Sequence, residues 1–309
     1  MTGIKIRGYG YAHGDRVVTN DDLAAMVETS DAWIREKTGI VSRHFAEHRS
    51  NADMAQEAAE GALRTAGLTA EDIDLLLICT FTPDLATPSL ACQVAGRLGT
   101  KPDILAMDVN GACSGFVYGC TAAAAMLVAG SARRALVIGS EKISPMMDMN
   151  DRRTCILFAD GAGALVMEYD ENGLFESVTG CLPDDQILGC PRFDPAIYMS
   201  GQEVYRFATS QVPEAIETLL AKVGMDREDI DYYVCHQANL RIIDSVARRV
   251  GVDRKRFYTN IETTGNTSAA SVAICLSEMM EKGLLQPGMH VVCAGFGAGL
   301  TWGAMLMRI

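Results

Sequence analysis

Basic residues are scarce in this 309-residue chain, which has 27 Lys and Arg against 39 Asp and Glu and a formal net charge of −12 at pH 7. Such a chain has no general affinity for nucleic acid or for an anionic membrane, because both attract positive charge. Proline is also rare, with 9 residues, whereas 49% of the chain is hydrophobic. This composition excludes disordered, collagen-like and low-complexity proteins, and the length predicts two domains or two fused halves of about 150 residues each.

The ten cysteines form no Cys-x-x-Cys pair, so the sequence supports neither a zinc ribbon nor a thioredoxin motif, and we expect no metal site. Most of them lie in apolar runs, where a free thiol behaves as a small hydrophobic side chain. The first residues, MTGIKIRGYG, lack the apolar segment of a signal peptide. The sequence therefore predicts a cytoplasmic protein in a reducing environment.

One stretch without any charge, residues 109–132, is long enough to cross a membrane. It holds much Ala, Gly, Ser and Thr and little Leu, Ile, Phe or Val, a composition that inserts poorly into lipid. A helix that is apolar on every side is otherwise typical of a protein core. The stretch therefore favours a buried helix over a membrane span.

The chain also repeats itself. Residues 67–78, GLTAEDIDLLLI, match residues 224–235, GMDREDIDYYVC, and each segment reads as a helix end, a turn and a short strand. Four further matches follow in the same order, among them a strand in DILAMDV that corresponds to a strand in RFYTNI. This order predicts two similar α/β halves, residues 1–170 and 171–309, each with a parallel sheet covered on both faces.

Functional residues are expected where the halves meet, at loops beyond strand ends and at helix N-termini. Cys113 meets this condition, because it lies in NGACSGF, where a strand turns into the uncharged helix. A helix N-terminus lowers the pKa of a thiol and favours the thiolate. We therefore predict that Cys113 is a nucleophile, with packing as one more buried thiol as the alternative.

His236 follows the second copy of the repeated strand, in YYVCHQAN, and Asn266 lies in the glycine turn TTGNTSAAS. Each has an ordinary structural explanation, because such a histidine is often a satisfied core residue and such an asparagine often caps a helix. Together with Cys113, however, they supply a nucleophile and two hydrogen-bond donors for a developing oxyanion. Their equivalent places at strand ends favour this joint catalytic interpretation.

Four segments, NGACSGF, HQAN, GNTSAAS and GFGAGLTWGA, together resemble the β-ketoacyl-acyl carrier protein synthase III family of thiolase-like condensing enzymes. The resemblance runs from the first strand to the last residue, and Asn266 points to the type III branch, because other condensing enzymes commonly have histidine there. It implies a thiolase-like fold of two pseudo-repeated α/β halves packed as a layered αβαβα sandwich. The implied activity joins an acyl-CoA primer to malonyl-acyl carrier protein, releases CoA and CO2, and initiates fatty-acid biosynthesis.

The resemblance also implies the roles of the site residues. Cys113 attacks the acyl-CoA thioester and holds the acyl group, while His236 and Asn266 stabilise the enolate formed as the malonyl thioester loses CO2. The backbone N–H groups of Cys113 and Ala298 form the oxyanion hole, although the family often has glycine at the second position. No metal or redox cofactor is implied, because decarboxylation supplies the carbanion. As a dinucleotide-binding loop, the GFGAGL run is only a weak match.

A CoA tunnel is implied as well. Trp33 stacks on the adenine, and Arg152 brackets the base from the other side. Lys37 stands where the family often has arginine, so it keeps the charge without the bidentate geometry. The residues that contact the pantetheine arm or the tunnel mouth are Gly201, Asn239 and Arg241.

The helix after HQAN carries Arg241, Arg248 and Arg249, a local reversal of the negative net charge. Acyl carrier proteins are acidic, so this helix is predicted to dock them, with a merely solvated helix face as the alternative. Thr87 stands where relatives that prefer acetyl primers have a bulky aromatic residue. The smaller side chain favours a deeper acyl pocket, completed by the partner subunit of the homodimer that the resemblance implies.

Three other functions compete with this interpretation. A condensing enzyme or acyltransferase of secondary metabolism shares the same residues, and a cysteine hydrolase passes the acyl group to water. A non-catalytic acyl-binding scaffold has no need of the Cys113 thiol, so the intact set of catalytic side chains speaks against it. The residues leave acyl chain length and pathway open, and residues 183–200 fit either an ordered tunnel wall or a mobile loop.

Overall fold

The computed structural model describes residues 3–192 and 196–309. Its strands are β1 (Ile4–His13), β2 (Arg16–Thr19), β3 (Ser42–Phe45), β4 (Leu75–Cys79), β5 (Leu105–Val109), β6 (Arg134–Glu141), β7 (Gly161–Tyr169), β8 (Phe175–Asp184), β9 (Leu188–Gly189), β10 (Tyr198–Met199), β11 (Tyr232–Cys235), β12 (His290–Gly297) and β13 (Gly299–Arg308). Its helices are α1 (Asn20–Ala24), α2 (Asp31–Thr38), α3 (Asn51–Ala66), α4 (Leu90–Leu98), α5 (Gly115–Val128), α6 (Gly201–Val223), α7 (Leu240–Val250), α8 (Ile261–Thr264) and α9 (Ala270–Glu281).

The repeated sequence segments begin with the same helix ending. α3 ends before Gly67, with φ of 67°, and α6 ends before Gly224, with φ of 70°. Glycine adopts this left-handed conformation without a steric penalty, which is why it so often terminates a helix. The two segments therefore leave their helices in the same direction and enter β4 and β11.

Strands from the first 170 residues form a sheet in the order β1-β7-β6-β4-β5. At its centre β4 pairs in parallel with both β5 and β6. All residues of β4, LLLIC, are buried, as expected for a parallel strand covered on both faces. Antiparallel pairing adds β7 and β1, and the predicted boundary between residues 170 and 171 falls in the turn before β8.

The second sheet repeats this arrangement with one strand fewer. Its order, β8-β13-β12-β11, corresponds to β1-β7-β6-β4 of the first sheet. The strand predicted in RFYTNI is wrong, because Phe257 makes only an isolated parallel bridge to Tyr233. The 3₁₀ helix Arg254–Arg256 leads directly into this segment and α8 follows soon after, so too few residues remain extended to form a strand.

Helices and sheets alternate in five layers. α3 and α4 pack on the outer face of the first sheet, and α6 and α7 pack on the outer face of the second. The central helices α5 and α9 fill the space between the two sheets. A further apolar cluster joins α1 and α2 to residues 143–158 beside these layers.

The uncharged stretch at residues 109–132 is a core helix, as predicted. It supplies the last residue of β5 and the whole of α5, whose buried side includes Phe116, Val117 and Cys120. No helix in the described ranges combines the length and apolarity that a membrane crossing needs. The position of α5 between two sheets explains why the segment is apolar on almost every side.

Part of the stretch at residues 183–200 is ordered. β9 and β10 pair within it, with Leu188 opposite Met199 and Gly189 opposite Tyr198. Residues 193–195 lie outside the described residues. Leu188 of this ladder lines two internal cavities next to Cys113, which are described below.

Candidate active site

Cys113 lies in the turn between β5 and α5. A 3₁₀ helix, Ala112–Ser114, leads into α5, so the thiol stands at the N-terminal end of a helix between the sheets. Ala112 has φ of 46°, a left-handed conformation that is uncommon for a residue with a side chain. Such strain persists where the surrounding structure imposes it, and it is frequent at functional sites.

The expectation of a lowered thiol pKa is wrong for this site. Burial raises the pKa of Cys113 to about 12, because the thiolate would lose its hydration. A hydrogen bond between Cys113 and Ser268, whose Oγ lies 3.2 Å from Sγ, acts in the opposite direction, and the negative charge of Glu141 adds to the rise. The resting nucleophile is therefore a neutral thiol that needs a proton acceptor before it attacks.

His236 follows β11 and is buried, with 1% of its surface exposed. Its Nδ1 lies 2.7 Å from the Ser271 hydroxyl, to whose oxygen the Gln237 N–H also donates. This arrangement favours donation from Ser271 to Nδ1, which makes Nε2–H the remaining donor of the ring. Burial lowers the pKa of His236 to about 3, so the imidazole is neutral at physiological pH.

Asn266 lies in the turn before α9. Its backbone N–H donates to the Leu157 carbonyl, and its own carbonyl accepts from the Ala159 N–H. Its side-chain oxygen accepts the N–H of Ser268 at 2.9 Å. Since this contact occupies the amide oxygen, the structure orients the NH2 group as the donor of the side chain.

Two cavities, both mainly apolar, meet at Cys113. The first has a volume of about 160 Å³, and the second, of about 130 Å³, contains Cys113, His236 and Asn266 in its wall. The residues that line the first cavity are Phe81, Asn110, Ala112, Cys113, Phe158, Leu188, Gly189, Cys190, Ile197 and Ala298. The fold thus brings the three residues predicted as catalytic together around one cavity, with an apolar space on the other side of the thiol.

The end of β12 packs directly against the nucleophile. A side chain at Gly297 would come within 2.7 Å of the Cys113 backbone N, so only glycine permits this approach. Ala298 follows at once, and it lines the apolar cavity together with Cys113. The two residues predicted to form the oxyanion hole are therefore neighbours in space, although 185 positions separate 113 from 298 in the sequence.

Two polar residues that the sequence analysis missed lie behind the thiol. Glu141 ends β6, is fully buried, and accepts hydrogen bonds from the Thr82 and Thr80 hydroxyls. Ser268 Oγ lies 3.2 Å from Cys113 Sγ and 3.3 Å from Glu141 Oε1. The available signals were a carboxylate at the end of the apolar strand ALVIGSE and the second hydroxyl residue of GNTSAAS.

The residues predicted to bind CoA fall into two groups. Gly201 and Asn239 line the cavity that contains His236. Trp33 and Arg152 form the other group and lie against each other, with the guanidinium carbon 5.2 Å from the centre of the indole ring. An aromatic face beside a cation is a suitable stacking place for a flat base.

Lys37 connects these two groups. Its carbonyl accepts a hydrogen bond from the Asn239 side chain at 3.0 Å, which joins α2 to the start of α7. Its ammonium group forms an exposed ion pair with Glu36 at 2.7 Å. The charge of Lys37 is therefore partly neutralised by a neighbour, and an exposed pair of this kind is easily exchanged for another anion.

The three predicted docking arginines, Arg241, Arg248 and Arg249, are exposed on α7. Two of them, Arg241 and Arg248, line an open surface hollow of about 520 Å³. Arg254 lines the same hollow but pairs with Asp244 at 2.6 Å. This face therefore carries positive charge next to the second cavity.

Thr87 is exposed and lies apart from both cavities of the described chain. Its predicted place in the acyl pocket requires a second subunit, as the sequence analysis assumed. The chain by itself does not place Thr87 against the acyl cavity.

Two family models match the segments of this chain that carry the three side chains. A family model described as 3-oxoacyl-[acyl-carrier-protein (ACP)] synthase III matches residues 107–182, and the model of its C-terminal part matches residues 220–309. The matched segments contain Cys113, His236 and Asn266.

Relatives match over their whole length. The β-ketoacyl-[acyl-carrier-protein] synthase III of Clostridium perfringens is 41% identical over 100% of both chains. The protein of that name from Oceanobacillus iheyensis is 42% identical over 99% of this chain and 98% of its own. The protein of that name from Thermosynechococcus vestitus is 42% identical over 100% of this chain and 99% of its own.

Solved structures show the same architecture. The 3-oxoacyl-[acyl-carrier-protein] synthase III of Aquifex aeolicus superimposes with a TM-score of 0.97, at 38% identity over 99% of this chain and 100% of its own. The priming β-ketosynthase of the R1128 polyketide pathway superimposes with a TM-score of 0.94, at 32% identity over 100% of this chain and 96% of its own. The predicted thiolase-like, layered α/β fold is thereby confirmed.

We expect the His236 imidazole to stay neutral down to about pH 5, because its buried position disfavours the imidazolium. The 15N chemical shifts of the labelled ring measure both its charge and its tautomer. In Ser271→Ala, the matched control, the ring should remain neutral while the preference for Nε2–H weakens. A titration of His236 near the ordinary pKa of about 6.5 would contradict this assignment.

Proposed function

Because the chain belongs to the 3-oxoacyl-[acyl-carrier-protein] synthase III family, we propose that it condenses an acyl-CoA primer with malonyl-acyl carrier protein. The products are 3-oxoacyl-acyl carrier protein, CoA and CO2, and the reaction initiates fatty-acid biosynthesis. The observation that carries the proposal is the position of Cys113, between an apolar cavity and a cavity walled by His236 and Asn266. A thiol in that position has room for an acyl chain on one side and two donors on the other.

In the first half-reaction Cys113 attacks the thioester carbonyl of the primer. The apolar cavity receives the acyl chain, because its wall is built from side chains such as Phe81 and Ile197. The backbone N–H groups of Cys113 and Ala298 stabilise the oxyanion of the tetrahedral intermediate. Collapse of this intermediate breaks the bond to CoA and leaves the acyl group on Sγ.

In the second half-reaction the malonyl group loses CO2 in the adjoining cavity. The resulting enolate oxygen accepts hydrogen bonds from His236 Nε2 and from the Asn266 NH2 group, both oriented as donors. A neutral imidazole suits this role, because it donates without first binding a proton. Since decarboxylation supplies the carbanion, the proposed chemistry uses no metal or redox cofactor.

The CoA arm enters past Trp33 and Arg152. The adenine stacks at the Trp33 ring, next to the guanidinium that already lies over it. Lys37 and Arg241 contribute positive charge for the phosphates, and the pantetheine passes Gly201 and Asn239, which line the inner cavity. The path leads from the α2 surface to Cys113.

The carrier protein docks on the exposed arginines of α7. Arg248 and Arg249 present positive charge on a chain whose net charge is −12. An acidic partner is therefore attracted to this face and repelled by much of the remaining protein surface. Docking here delivers the malonyl group to the cavity that the start of α7 borders.

The functional form is a homodimer that extends the first sheet. β5 is an edge strand, paired only with β4 within the described residues, and its Leu105 is 50% exposed. An unpaired strand edge with an apolar surface is a place where another copy of the chain adds. A partner at this edge also gives Thr87 its predicted place in the acyl pocket of the other subunit.

We also propose a pathway and a compartment, the pathway supported by the relatives and the compartment by the chemistry of the thiol. The relatives near 40% identity are named for synthase III, whereas the polyketide priming enzyme is 32% identical. Secondary metabolism is therefore the less favoured assignment. We place the protein in the cytoplasm, where a reducing environment keeps Cys113 as a thiol.

Mixing the protein with a panel of acyl-CoAs should give an acyl adduct on Cys113, detected by intact-protein mass spectrometry. The adduct should be absent in Cys113→Ala and should persist in Cys190→Ser, which removes another thiol of the same cavity. Malonyl-acyl carrier protein should discharge it with formation of the 3-oxoacyl product. Discharge by water alone would indicate a hydrolase, and the absence of any adduct would refute acyl-CoA as the primer.

The double variant Arg248→Glu/Arg249→Glu should raise the KM for malonyl-acyl carrier protein by about tenfold at low salt, because steering of an acidic partner is lost. Acylation by acyl-CoA should keep its rate. Arg64→Glu is the control, since it reverses one positive charge, half the change of the double variant, on α3 in the opposite outer layer. Equal KM values for the two variants would argue against docking on α7.

Sedimentation equilibrium should give twice the chain mass of 33.2 kDa. Leu105→Asp should shift the protein towards the monomer, because a carboxylate at the sheet edge opposes pairing with a second copy. Val17→Asp, at a 56% exposed residue of β2, is the control and should stay dimeric. A wild-type protein that sediments as a monomer at micromolar concentration would contradict the proposed dimer.

A further inference from the structure

A continuous chain of polar groups runs from the nucleophile into the core. Cys113 Sγ lies 3.2 Å from Ser268 Oγ, which in turn lies 3.3 Å from Glu141 Oε1. Ser268 has φ of 49°, and its N–H is held by the Asn266 side chain. A residue with a side chain keeps this conformation only where its surroundings impose it, so the backbone of Ser268 is held where its hydroxyl reaches both the thiol and the carboxylate.

The two carboxylate oxygens of Glu141 have different partners. Oε2 accepts from the Thr80 and Thr82 hydroxyls, at 3.1 Å and 2.5 Å. Oε1 faces Ser268, and the Phe81 N–H lies within reach of both oxygens. A proton can therefore settle on Oε1 while the threonine hydrogen bonds to Oε2 stay in place.

The number of negative charges that this buried space can hold limits how Cys113 loses its proton. The hydrogen-bond partners of Glu141 in the described part of the chain are hydroxyl and N–H groups, and none is a cation. The titratable groups that its charge affects are the thiols of Cys79, Cys113 and Cys190. A thiolate beside an ionised Glu141 places two negative charges in a low-dielectric site, whereas transfer of one proton between them keeps the total at one.

We propose that Ser268 and Glu141 form the proton relay that activates Cys113. The S–H bond of Cys113 breaks as its proton passes to Ser268 Oγ, and the proton that Ser268 releases binds Glu141 Oε1. A thiol and a carboxylate thus become a thiolate and a carboxylic acid. Burial raises the pKa of Glu141 to about 8, which makes it a far better proton acceptor than an ordinary carboxylate.

The relay balances across both half-reactions. A lone pair of the Cys113 thiolate attacks the acyl carbon, and the bond from that carbon to the CoA sulfur breaks. The CoA thiolate then takes up a proton from solvent. In the condensation the enolate carbon attacks the acyl group, the bond to Cys113 breaks, and the thiolate recovers its proton from Glu141 through Ser268. These steps rest on the proposed function, whereas activation of the thiol governs its reaction with any electrophile.

Two simpler roles for Glu141 predict different results. If the carboxylate acts only as a charge, it repels the thiolate, and Glu141→Gln makes Cys113 react faster. If it serves only to hold the fold, then Asp160→Asn should have a comparable effect. Asp160 is a buried acid bound by the Ala46 N–H and the Ser144 hydroxyl, and it stands as the matched control.

The test is the rate of alkylation of Cys113 by iodoacetamide between about pH 6 and pH 10, followed by mass spectrometry of the Cys113 peptide. In the wild type the rate should rise as Glu141 ionises and level off above about pH 8.5, since the relay then holds one shared proton. Glu141→Gln and Ser268→Ala should react about 100-fold more slowly at pH 8 and show no such plateau. Asp160→Asn should follow the wild-type profile.

Alkylation of Glu141→Gln or Ser268→Ala at the wild-type rate or faster would overturn the relay. Thermal unfolding of each variant shows whether it is folded. If Glu141→Gln does not fold, the alkylation profiles of the wild type and of Ser268→Ala test the relay instead. A wild-type rate that climbs without a plateau refutes the relay by itself. A normal alkylation profile in a protein that no acyl-CoA acylates would instead refute the proposed function and leave the relay standing.

Discussion

The narrow space between the two sheets is the constraint on which the site depends. α9 packs on the first sheet at backbone distance, because a side chain at Gly139 would come within 2.4 Å of the Ala269 carbonyl and one at Gly163 within 2.5 Å of the Ile274 N. α5 meets the same helix at Gly115, where an added carbon would lie 3.5 Å from Ala269. Small residues thus bring the N-terminal ends of both central helices together, and with them the nucleophile and the asparagine turn.

Burial between the two sheets also sets the protonation states of the site residues. The imidazole of His236 is held neutral, the thiol of Cys113 is held protonated, and the Asn266 amide is turned by its contact with Ser268. Before any substrate binds, each group is therefore held in one protonation state, and the two donors are held in one orientation. Preorganised donors of this kind need no rearrangement when charge develops on the substrate, which is the main source of their effect on rate.

The fold and the proximity of Cys113, His236 and Asn266 could be predicted from the sequence, because both leave periodic or local traces. The repeat predicted two similar sheets, and the strand-end positions singled out Cys113, His236 and Asn266. The pKa of Cys113 was predicted in the wrong direction, since a helix N-terminus is visible in a sequence whereas the loss of hydration is not. Glu141 escaped notice for a related reason: its link to Cys113 runs through Ser268, and proximity across three distant segments has no local pattern.

The order of the proposed half-reactions follows from where the two cavities meet. Of Cys113, His236 and Asn266, only Cys113 lines both, so the proposed reaction has the acyl chain in one cavity and the CoA arm in the other. Once CoA leaves the second cavity, His236 and Asn266 face an empty space that the malonyl arm of the carrier protein fits by the same route. In the proposed reaction the acyl group does not follow CoA out, because it is bonded to Sγ and packed among apolar side chains. The proposal thus has a single tunnel admit acyl-CoA and malonyl-acyl carrier protein one after the other, and the covalent acyl-enzyme separates the two half-reactions.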